Sequence, residues 1–153
     1  MVNNVAMTQR ILFVCLGNIC RSPAAEGVVR AQMPNVETDS AGTSGWHVGD
    51  PPYGPMQKAA IGRGIDLSDL RARGFTPHDF DTFDLIIGMD AENIAAMEAL
   101  RPAGNKTEVK LFTDYSNGSE TYVPDPYYTR DFEGALDLIE RCARGLKDQL
   151  LRQ

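Results

Sequence analysis

The chain has few cysteines, no excess of positive charge and no long hydrophobic run. Its three cysteines are an odd number and do not indicate a disulfide scaffold, so we expect a cytoplasmic protein. Lysine and arginine total 15 against 21 aspartate and glutamate residues, and the resulting net charge of −6 argues against a general nucleic-acid-binding protein. No apolar run is long enough to span a bilayer and no signal-peptide pattern is present, so we expect no membrane insertion.

What the sequence does contain is an alternation of strand and helix signals. Residues 1–9 are polar and predict a flexible extension, and residues 10–153 predict a single domain whose size suits the hydrophobic content of 42%. Strand patterns lie at 10–14, 36–40, 85–89 and 109–112, and helix patterns at 24–33, 56–63, 91–100 and 130–151. Strands separated by helices predict an α/β fold with a parallel sheet covered on both faces.

One segment carries a nucleophile and an anion-binding group at close spacing. Cys15 follows the first predicted strand, and Arg21 stands six residues later, just before the first predicted helix. Backbone N–H groups and a helix N terminus favour a thiolate and attract an oxyanion. The planar fork of an arginine can bind two phosphate oxygens at once. This spacing predicts phosphate-ester chemistry through a phosphocysteine.

The residues inside and after this loop suit the same role. Gly17 gives the turn freedom of φ, and Asn18 tolerates a left-handed backbone while its side chain can hold the loop. Ser22 can form a hydrogen bond with the sulfur. A cysteine is often only a small buried hydrophobe, and Cys-x5-Arg also occurs by chance. The strand before the loop and the Ser-Pro after it favour the anion-binding interpretation.

A carboxyl group that could complete the reaction lies far along the chain. The leaving alkoxide or phenoxide needs a proton, which a carboxylic acid can supply. Asp125 lies in the loop Val-Pro-Asp-Pro-Tyr, between two prolines. From the sequence pattern alone, Asp125 could equally well be an ordinary turn residue.

The segment Cys-Leu-Gly-Asn-Ile-Cys-Arg-Ser-Pro at 15–23 resembles the active-site signature of the low-molecular-weight protein tyrosine phosphatases. The similarity extends through residues 39–43, Trp46, residues 83–90 and Asp-Pro-Tyr-Tyr at 125–128, and so covers nearly the whole chain from about residue 10. The resemblance implies a three-layer, flavodoxin-like α/β fold with a four-stranded parallel sheet flanked by helices. It also implies metal-independent hydrolysis of protein phosphotyrosine, without a cofactor.

The same resemblance assigns roles to individual residues. It makes Cys15 the nucleophile, Arg21 with the loop amides the phosphate cradle, and Asp125 the general acid and then the general base. The residues that would bind phosphate or support the loop are Leu16, Gly17, Asn18, Ile19, Cys20 and Ser22. The residues that would line the substrate pocket are Trp46, Tyr127 and Tyr128. A deep slot with aromatic walls would favour phosphotyrosine over phosphoserine.

Three other functions are alternatives to phosphotyrosine hydrolysis. Protein arginine phosphatases resemble the family but have a threonine where this chain has Ile19, whose branched apolar side chain suits an aromatic ring better than a guanidinium. Arsenate reductases on this scaffold need further cysteines near the middle of the chain, and none lies between Arg21 and Arg141. A noncatalytic phosphoprotein-binding module would lack the nucleophile or the acid, and both Cys15 and Asp125 are present.

The remaining cysteines do not predict a metal site. Cys15 and Cys20 have a metal-like spacing, but no other Cys or paired His completes a zinc or iron–sulfur set. In the family the second loop cysteine traps an oxidised nucleophile as a reversible disulfide, which implies the same role for Cys20. Cys142 is expected to be a core thiol.

The chain departs from the family at Leu70, where many members have a histidine that supports the loop asparagine. The support of Asn18 must therefore come from elsewhere, or is missing. Asp90 is expected to cap the helix that follows it, and His47 and His78 to be surface or loop residues. Ser40 and Glu92 could belong to supporting polar networks. The resemblance implies a tyrosine-phosphorylated protein as partner, with a bacterial tyrosine kinase as one candidate.

Overall fold

The computed structural model describes residues 10–152, so the extension predicted for residues 1–9 lies outside the described residues. The strands are β1 (Arg10–Cys15), β2 (Glu37–Gly42), β3 (Leu85–Gly88) and β4 (Glu108–Leu111). The helices are α1 (Arg21–Gln32), α2 (Gly54–Ile61), α3 (Asp79–Thr82), α4 (Ala91–Glu98), α5 (Pro126–Thr129) and α6 (Phe132–Leu150), and a 3₁₀ helix spans Phe112–Tyr115.

The four strands form one parallel sheet in the order β2-β1-β3-β4. In this register Phe13 of β1 pairs with Ser40 of β2 on one side and with Ile87 of β3 on the other. β1 therefore lies inside the sheet, and its residues from Ile11 onward are buried. All strands end at the same edge, where Cys15 closes β1. The predicted four-stranded parallel sheet is confirmed.

The side chains of β1 alternate between two hydrophobic cores, as the pleat of a strand requires. Ile11 and Phe13 belong to the core that α1, α2 and α6 cover, whereas Leu12 and Val14 belong to the core that α3 and α4 cover. Helices thus lie on both faces of the sheet. This arrangement confirms the predicted three-layer, flavodoxin-like architecture.

The last helix, α6, buries one face against α1, α2 and the 3₁₀ helix. Its buried residues are Ala135, Leu136, Leu138, Ile139, Cys142, Ala143 and Leu146. The predicted start at residue 130 is wrong, because Arg130 has a left-handed φ of 63° and ends α5. Asp131 caps α6 instead, since its Oδ1 accepts the Gly134 N–H at 2.9 Å. Within residues 10–152, no helix has both the length and the apolar character that crossing a bilayer requires.

The sequence patterns missed three short elements and misplaced several boundaries. α3, α5 and the 3₁₀ helix have four residues each, which is about one turn and too short to show a helical periodicity. α1 begins at Arg21 rather than at residue 24, and β2 extends to Gly42 rather than ending at residue 40. α2 likewise begins two residues earlier than predicted, at Gly54.

Candidate active site

The candidate site lies where β1 ends and α1 begins. Cys15 is the last residue of β1 and is only 3% exposed, and the loop from Leu16 to Cys20 leads directly into α1. The end of β2 holds this loop, because the Thr43 N–H donates to the Cys15 carbonyl and the Ser44 N–H to the Leu16 carbonyl, each at 2.9 Å. Ligands of open parallel sheets bind at this edge, beyond the carboxyl ends of the strands.

Two hydrogen-bonding groups converge on the sulfur of Cys15. Ser22 Oγ lies 3.1 Å from Sγ, and the backbone N–H of Asn18 donates to Sγ at 3.2 Å. Asn18 Nδ2 also donates to Ser22 Oγ at 2.8 Å. Since Ser22 Oγ accepts that bond, its own proton is left to point at the sulfur or at the Ala41 carbonyl, which is farther away at 3.5 Å. Both groups can therefore donate hydrogen bonds to the sulfur.

The backbone N–H of Arg73 supports Asn18. The φ of Asn18 is 58°, in the left-handed conformation that the sequence predicts this asparagine to tolerate. The Arg73 N–H donates to Asn18 Oδ1 at 2.9 Å, while Leu70 packs against the hydrophobic core. Asn18 Oδ1 is therefore held by the main chain at Arg73 and not by a side chain at position 70.

Arg21 lies buried beside the loop, with only 4% of its surface exposed. Its Nη1 donates to Asp90 Oδ2 at 2.8 Å and to the Val123 carbonyl at 3.0 Å, and its Nη2 lies 3.6 Å from Asp125 Oδ2. Burial opposes the charge, but the nearby Cys15 and the hydrogen bond to Asp90 outweigh it, so the pKa of Arg21 is raised. The buried Nε has no acceptor among the described residues, and a phosphate oxygen could supply one.

Asp125, predicted to lie in a loop between two prolines, immediately precedes α5. Its Oδ1 accepts the Tyr127 N–H at 3.0 Å and so caps the helix. Its Oδ2 faces Arg21. One oxygen thus fixes the carboxyl group while the other faces the site.

A single pocket joins the loop to the predicted aromatic residues. Its lining residues are Cys15, Leu16, Gly17, Ile19, Cys20, Trp46, His47, Asp125, Tyr127 and Tyr128. Trp46 and Tyr128 are about 70% exposed, at 73% and 69%, and so form the outer rim of the pocket. The structure therefore brings together the sequence-predicted nucleophile, acid and aromatic residues, although these are up to 113 positions apart.

Sequence reasoning missed several residues at this site. His47, expected only on the surface or in a loop, contributes to the pocket wall and lies 3.2 Å from Asp50 through Nδ1. Its position next to Trp46 was the available signal. Tyr53 packs against Tyr127 with the rings tilted by 56° and their centroids 5.1 Å apart, and no sequence pattern indicated this contact.

Asp90 has two roles, of which the sequence predicted one. As expected, it caps α4, because its Oδ1 accepts the Asn93 N–H at 2.8 Å. Its Oδ2 also binds Arg21. Ser40 does belong to a polar pair, since its hydroxyl donates to Glu26 Oε1 at 2.7 Å.

The two other cysteines differ from Cys15 in their environment. Burial, with smaller contributions from Asp125 and Cys15, raises the pKa of Cys20 to about 12, so that Cys20 is a thiol at neutral pH. Burial likewise raises the pKa of Cys142 to about 12, as expected for a thiol within the core. Within residues 10–152, no three His, Cys, Asp or Glu side chains group together in a way that could hold a metal ion.

Comparison with known sequences identifies the relatives of this chain. The family model described as low molecular weight phosphotyrosine protein phosphatase matches residues 10–153. The low molecular weight protein-tyrosine-phosphatase YfkJ of Bacillus subtilis is 42% identical over 137 residues, which cover 85% of this chain and 88% of YfkJ. A putative low molecular weight protein-tyrosine-phosphatase of Synechocystis is 44% identical over 151 residues, covering 92% and 96% of the two chains.

Solved structures agree with the sequence matches. The crystal structure of YfkJ superposes with a TM-score of 0.89 at 38% identity, covering 95% of this chain and 96% of YfkJ. Wzb of Vibrio vulnificus, in complex with benzylphosphonate, superposes with a TM-score of 0.84 at 26% identity, covering 93% and 99%. The chain therefore belongs to the low molecular weight phosphotyrosine protein phosphatases, a family of hydrolases.

Proposed function

We propose that this enzyme hydrolyses protein phosphotyrosine through a phosphocysteine intermediate, within a single phosphatase domain at residues 10–153. One observation carries the proposal: the thiol of Cys15 lies in a pocket whose wall includes Asp125, with Arg21 beside it. Nucleophile, charge-stabilising group and proton donor thus surround one space that a phosphate ester can enter. The donors of Arg21 and the loop amides neutralise the phosphate charge, so the reaction needs no metal ion.

In the first step the Cys15 thiolate attacks the phosphorus atom in line with the ester bond. The P–S bond forms as the P–O bond to the phenol breaks, and Arg21 with the loop amides stabilises the equatorial oxygens. Asp125, as a carboxylic acid, gives its proton to the leaving phenolate. The Ser22 hydroxyl and the Asn18 N–H favour the thiolate and hold it in place.

In the second step water hydrolyses the phosphocysteine. The Asp125 carboxylate, left by the first step, accepts a proton from the attacking water. The P–O bond forms as the P–S bond breaks, which releases inorganic phosphate and restores the thiolate. Asp125 recovers its proton in the same step, so the enzyme is ready for another cycle.

The aromatic rim supports phosphotyrosine as the substrate. Trp46, Tyr127 and Tyr128 can pack on a phenyl ring, and Ile19 adds an apolar wall close to the sulfur. A guanidinium, as in phosphoarginine, would find an apolar branched side chain there instead of a polar partner. Wzb binds benzylphosphonate, a phenyl ring one carbon from a phosphonate, which is consistent with such a pocket.

The natural partner we propose is a tyrosine-phosphorylated protein in the cytoplasm, with a bacterial tyrosine kinase as one candidate. We also propose that the loop is sensitive to oxidation. Peroxide would convert Cys15 to a sulfenic acid, and the Cys20 thiol would then displace water from it to form a disulfide. Thiol reductants would restore both cysteines.

The test is phosphate release from matched phosphotyrosine, phosphoserine and phosphoarginine substrates, in the presence of EDTA, beside the Cys15→Ser variant. We expect release from phosphotyrosine that is lost in Cys15→Ser, while this variant still binds phosphate. Appreciable turnover by Cys15→Ser would contradict the assignment of the nucleophile. Preference for phosphoarginine would instead indicate an arginine phosphatase despite Ile19.

A further inference from the structure

The segment that holds Asn18 extends the sheet beside the end of β2. The Gly42 N–H donates to the Arg73 carbonyl, and the Phe75 N–H donates to the Gly42 carbonyl, both at 2.8 Å. Gly42 and Gly74 form an isolated parallel bridge. The segment is otherwise outside the regular strands and helices, and Ala72 ties it to Gly49 and Asp50 by two further backbone hydrogen bonds of 2.8 Å.

The guanidinium of Arg73 supplies contacts to two carboxylates. It donates to Asp39 Oδ2 from Nε at 3.1 Å and from Nη2 at 3.0 Å. It also binds both oxygens of Asp79, from Nη1 and Nη2, each at 3.1 Å. Asp79 is only 5% exposed and is fixed in turn by the Thr76 N–H at 2.9 Å. Burial opposes the charge of Arg73, but the two carboxylates outweigh it and raise its pKa.

Three consecutive hydrogen bonds link Arg73 to the nucleophile Cys15. The Arg73 N–H holds Asn18 Oδ1, Asn18 Nδ2 holds Ser22 Oγ, and Ser22 Oγ lies beside Cys15 Sγ. Each bond is between 2.8 and 3.1 Å long. Asn18 has a left-handed backbone with a φ of 58°, which asparagine tolerates better than most residues.

We propose that Arg73 is a positioning residue for Cys15. Its side chain anchors the segment between Asp39 and Asp79, so that its own N–H holds Asn18 and, through Ser22, the thiolate. This inference rests on the proposed role of Cys15 as the nucleophile. Because Leu70 is apolar, no side chain at that position can replace the contact from the main chain.

The test compares Arg73→Ala and Arg73→Lys with a matched control, Arg63→Ala. Arg63 also binds several carboxylates, Glu133, Asp137 and Glu140 at 2.6 to 2.9 Å, but all of them lie on α6. The readouts are kcat/KM for a phosphotyrosine peptide and the pH profile of Cys15 alkylation by iodoacetamide, with the modified residue identified by mass spectrometry. All measurements use conditions under which each variant is folded by circular dichroism.

We expect Arg73→Ala to move the midpoint of the alkylation profile to higher pH and to lower kcat/KM by about tenfold to a hundredfold. Arg73→Lys should lie between Arg73→Ala and the parent enzyme, because a single ammonium cannot bind two carboxylates as a fork does. Arg63→Ala should lose stability without a shift of the midpoint. If Arg73→Ala does not fold, Asp39→Ala, which removes half of the anchor, should show a smaller shift in the same direction.

An unchanged midpoint in Arg73→Ala, or in Asp39→Ala if Arg73→Ala does not fold, would overturn the proposal. Equal shifts in Arg73→Ala and Arg63→Ala would also overturn it, because general loosening would then explain both. Failure of the underlying function gives a different result. Cys15→Ser would keep its activity in that case, whatever the Arg73 variants do.

Discussion

Arg21 and Asp90 form a partly buried ion pair of 2.8 Å that links the start of α1 to the start of α4. Asp90 holds the guanidinium with Oδ2 and the N terminus of α4 with Oδ1. Asp90, which lies between β3 and α4, therefore orients the arginine that we assign to phosphate binding. Asp90 acts on the site through Arg21.

Replacement of Asp90 by alanine should lower kcat/KM and should also lower the free energy of unfolding slightly. Arg21 would lose the partner that orients its fork, and we expect kcat/KM to fall by about tenfold or more. Loss of the cap on α4 should cost about 1 kcal/mol of unfolding free energy. Asp131→Ala is the matched control, because it removes the cap of α6 without touching Arg21. If both variants lose kcat/KM equally, the ion pair has no special role.

Asp125→Asn should separate substrates by their leaving groups. Asparagine can still cap α5 but cannot donate a proton to the phenolate. Turnover of a phosphotyrosine peptide should fall by about 10²-fold to 10⁴-fold, and turnover of p-nitrophenyl phosphate, whose leaving group needs less protonation, by much less. Steady-state rates for both substrates check this. Equal slowing would argue against a general acid at this position.

Glu26 should make the enzyme less stable as the pH rises toward neutrality. Burial is the main cause that raises the pKa of Glu26 from 4.5 to about 7, and the hydrogen bond from Ser40 opposes it. Among the nearby charges, Asp39 and Asp69 raise this pKa and Arg30 lowers it. The folded state therefore holds this proton more tightly than the unfolded state. Its favourable contribution is complete below about pH 4.5 and is lost as the pH rises to about 7.

Glu26→Gln keeps an acceptor for Ser40 without the charge, so it should unfold less readily than the parent enzyme above pH 7. The difference should be at most about 3 kcal/mol and should vanish near pH 4.5. Urea unfolding between pH 4.5 and 8 measures it. The exposed Glu92 provides the control variant, Glu92→Gln, for which we expect no such trend. A difference that does not depend on pH would contradict the assignment to Glu26.

Gly42→Ala should displace the phosphate-binding loop, which packs against the end of β2. A Cβ atom at Gly42 would lie 2.9 Å from the Leu16 carbonyl oxygen and 3.1 Å from Asn18 Cβ, so the loop would have to move. We expect a loss of about 1 to 3 kcal/mol of stability and at least about tenfold in kcat/KM. Gly54→Ala is the control, because nothing lies within 4 Å of its added Cβ. Normal activity in Gly42→Ala would show that the loop tolerates displacement.

The parts of the site that local sequence patterns predict by themselves are those whose residues are close together along the chain, whereas Asp125 and the aromatic rim were predicted through the family resemblance. Cys15, Arg21 and Ser22 share one short loop, and the periodicity of α6 is long enough to recognise. The contacts that the sequence did not reveal join distant positions. Arg73 and Asn18 are 55 residues apart, and Arg21 and Asp90 are 69 apart, and both contacts depend on how the chain returns to the edge of the sheet.

The interior position of β1 separates the molecule into two dynamic regimes. Amide protons in a strand paired on both sides exchange with solvent only in a large opening of the sheet. Residues 11–14 of β1 are paired in this way, and Cys15 follows them directly. The rim stands instead on the four-residue α5 and on the loop that carries Trp46, whose opening requires far fewer contacts to break. The rim is therefore expected to open locally more readily than the strand that carries Cys15, and Asp125, which caps α5, belongs to the part that opens.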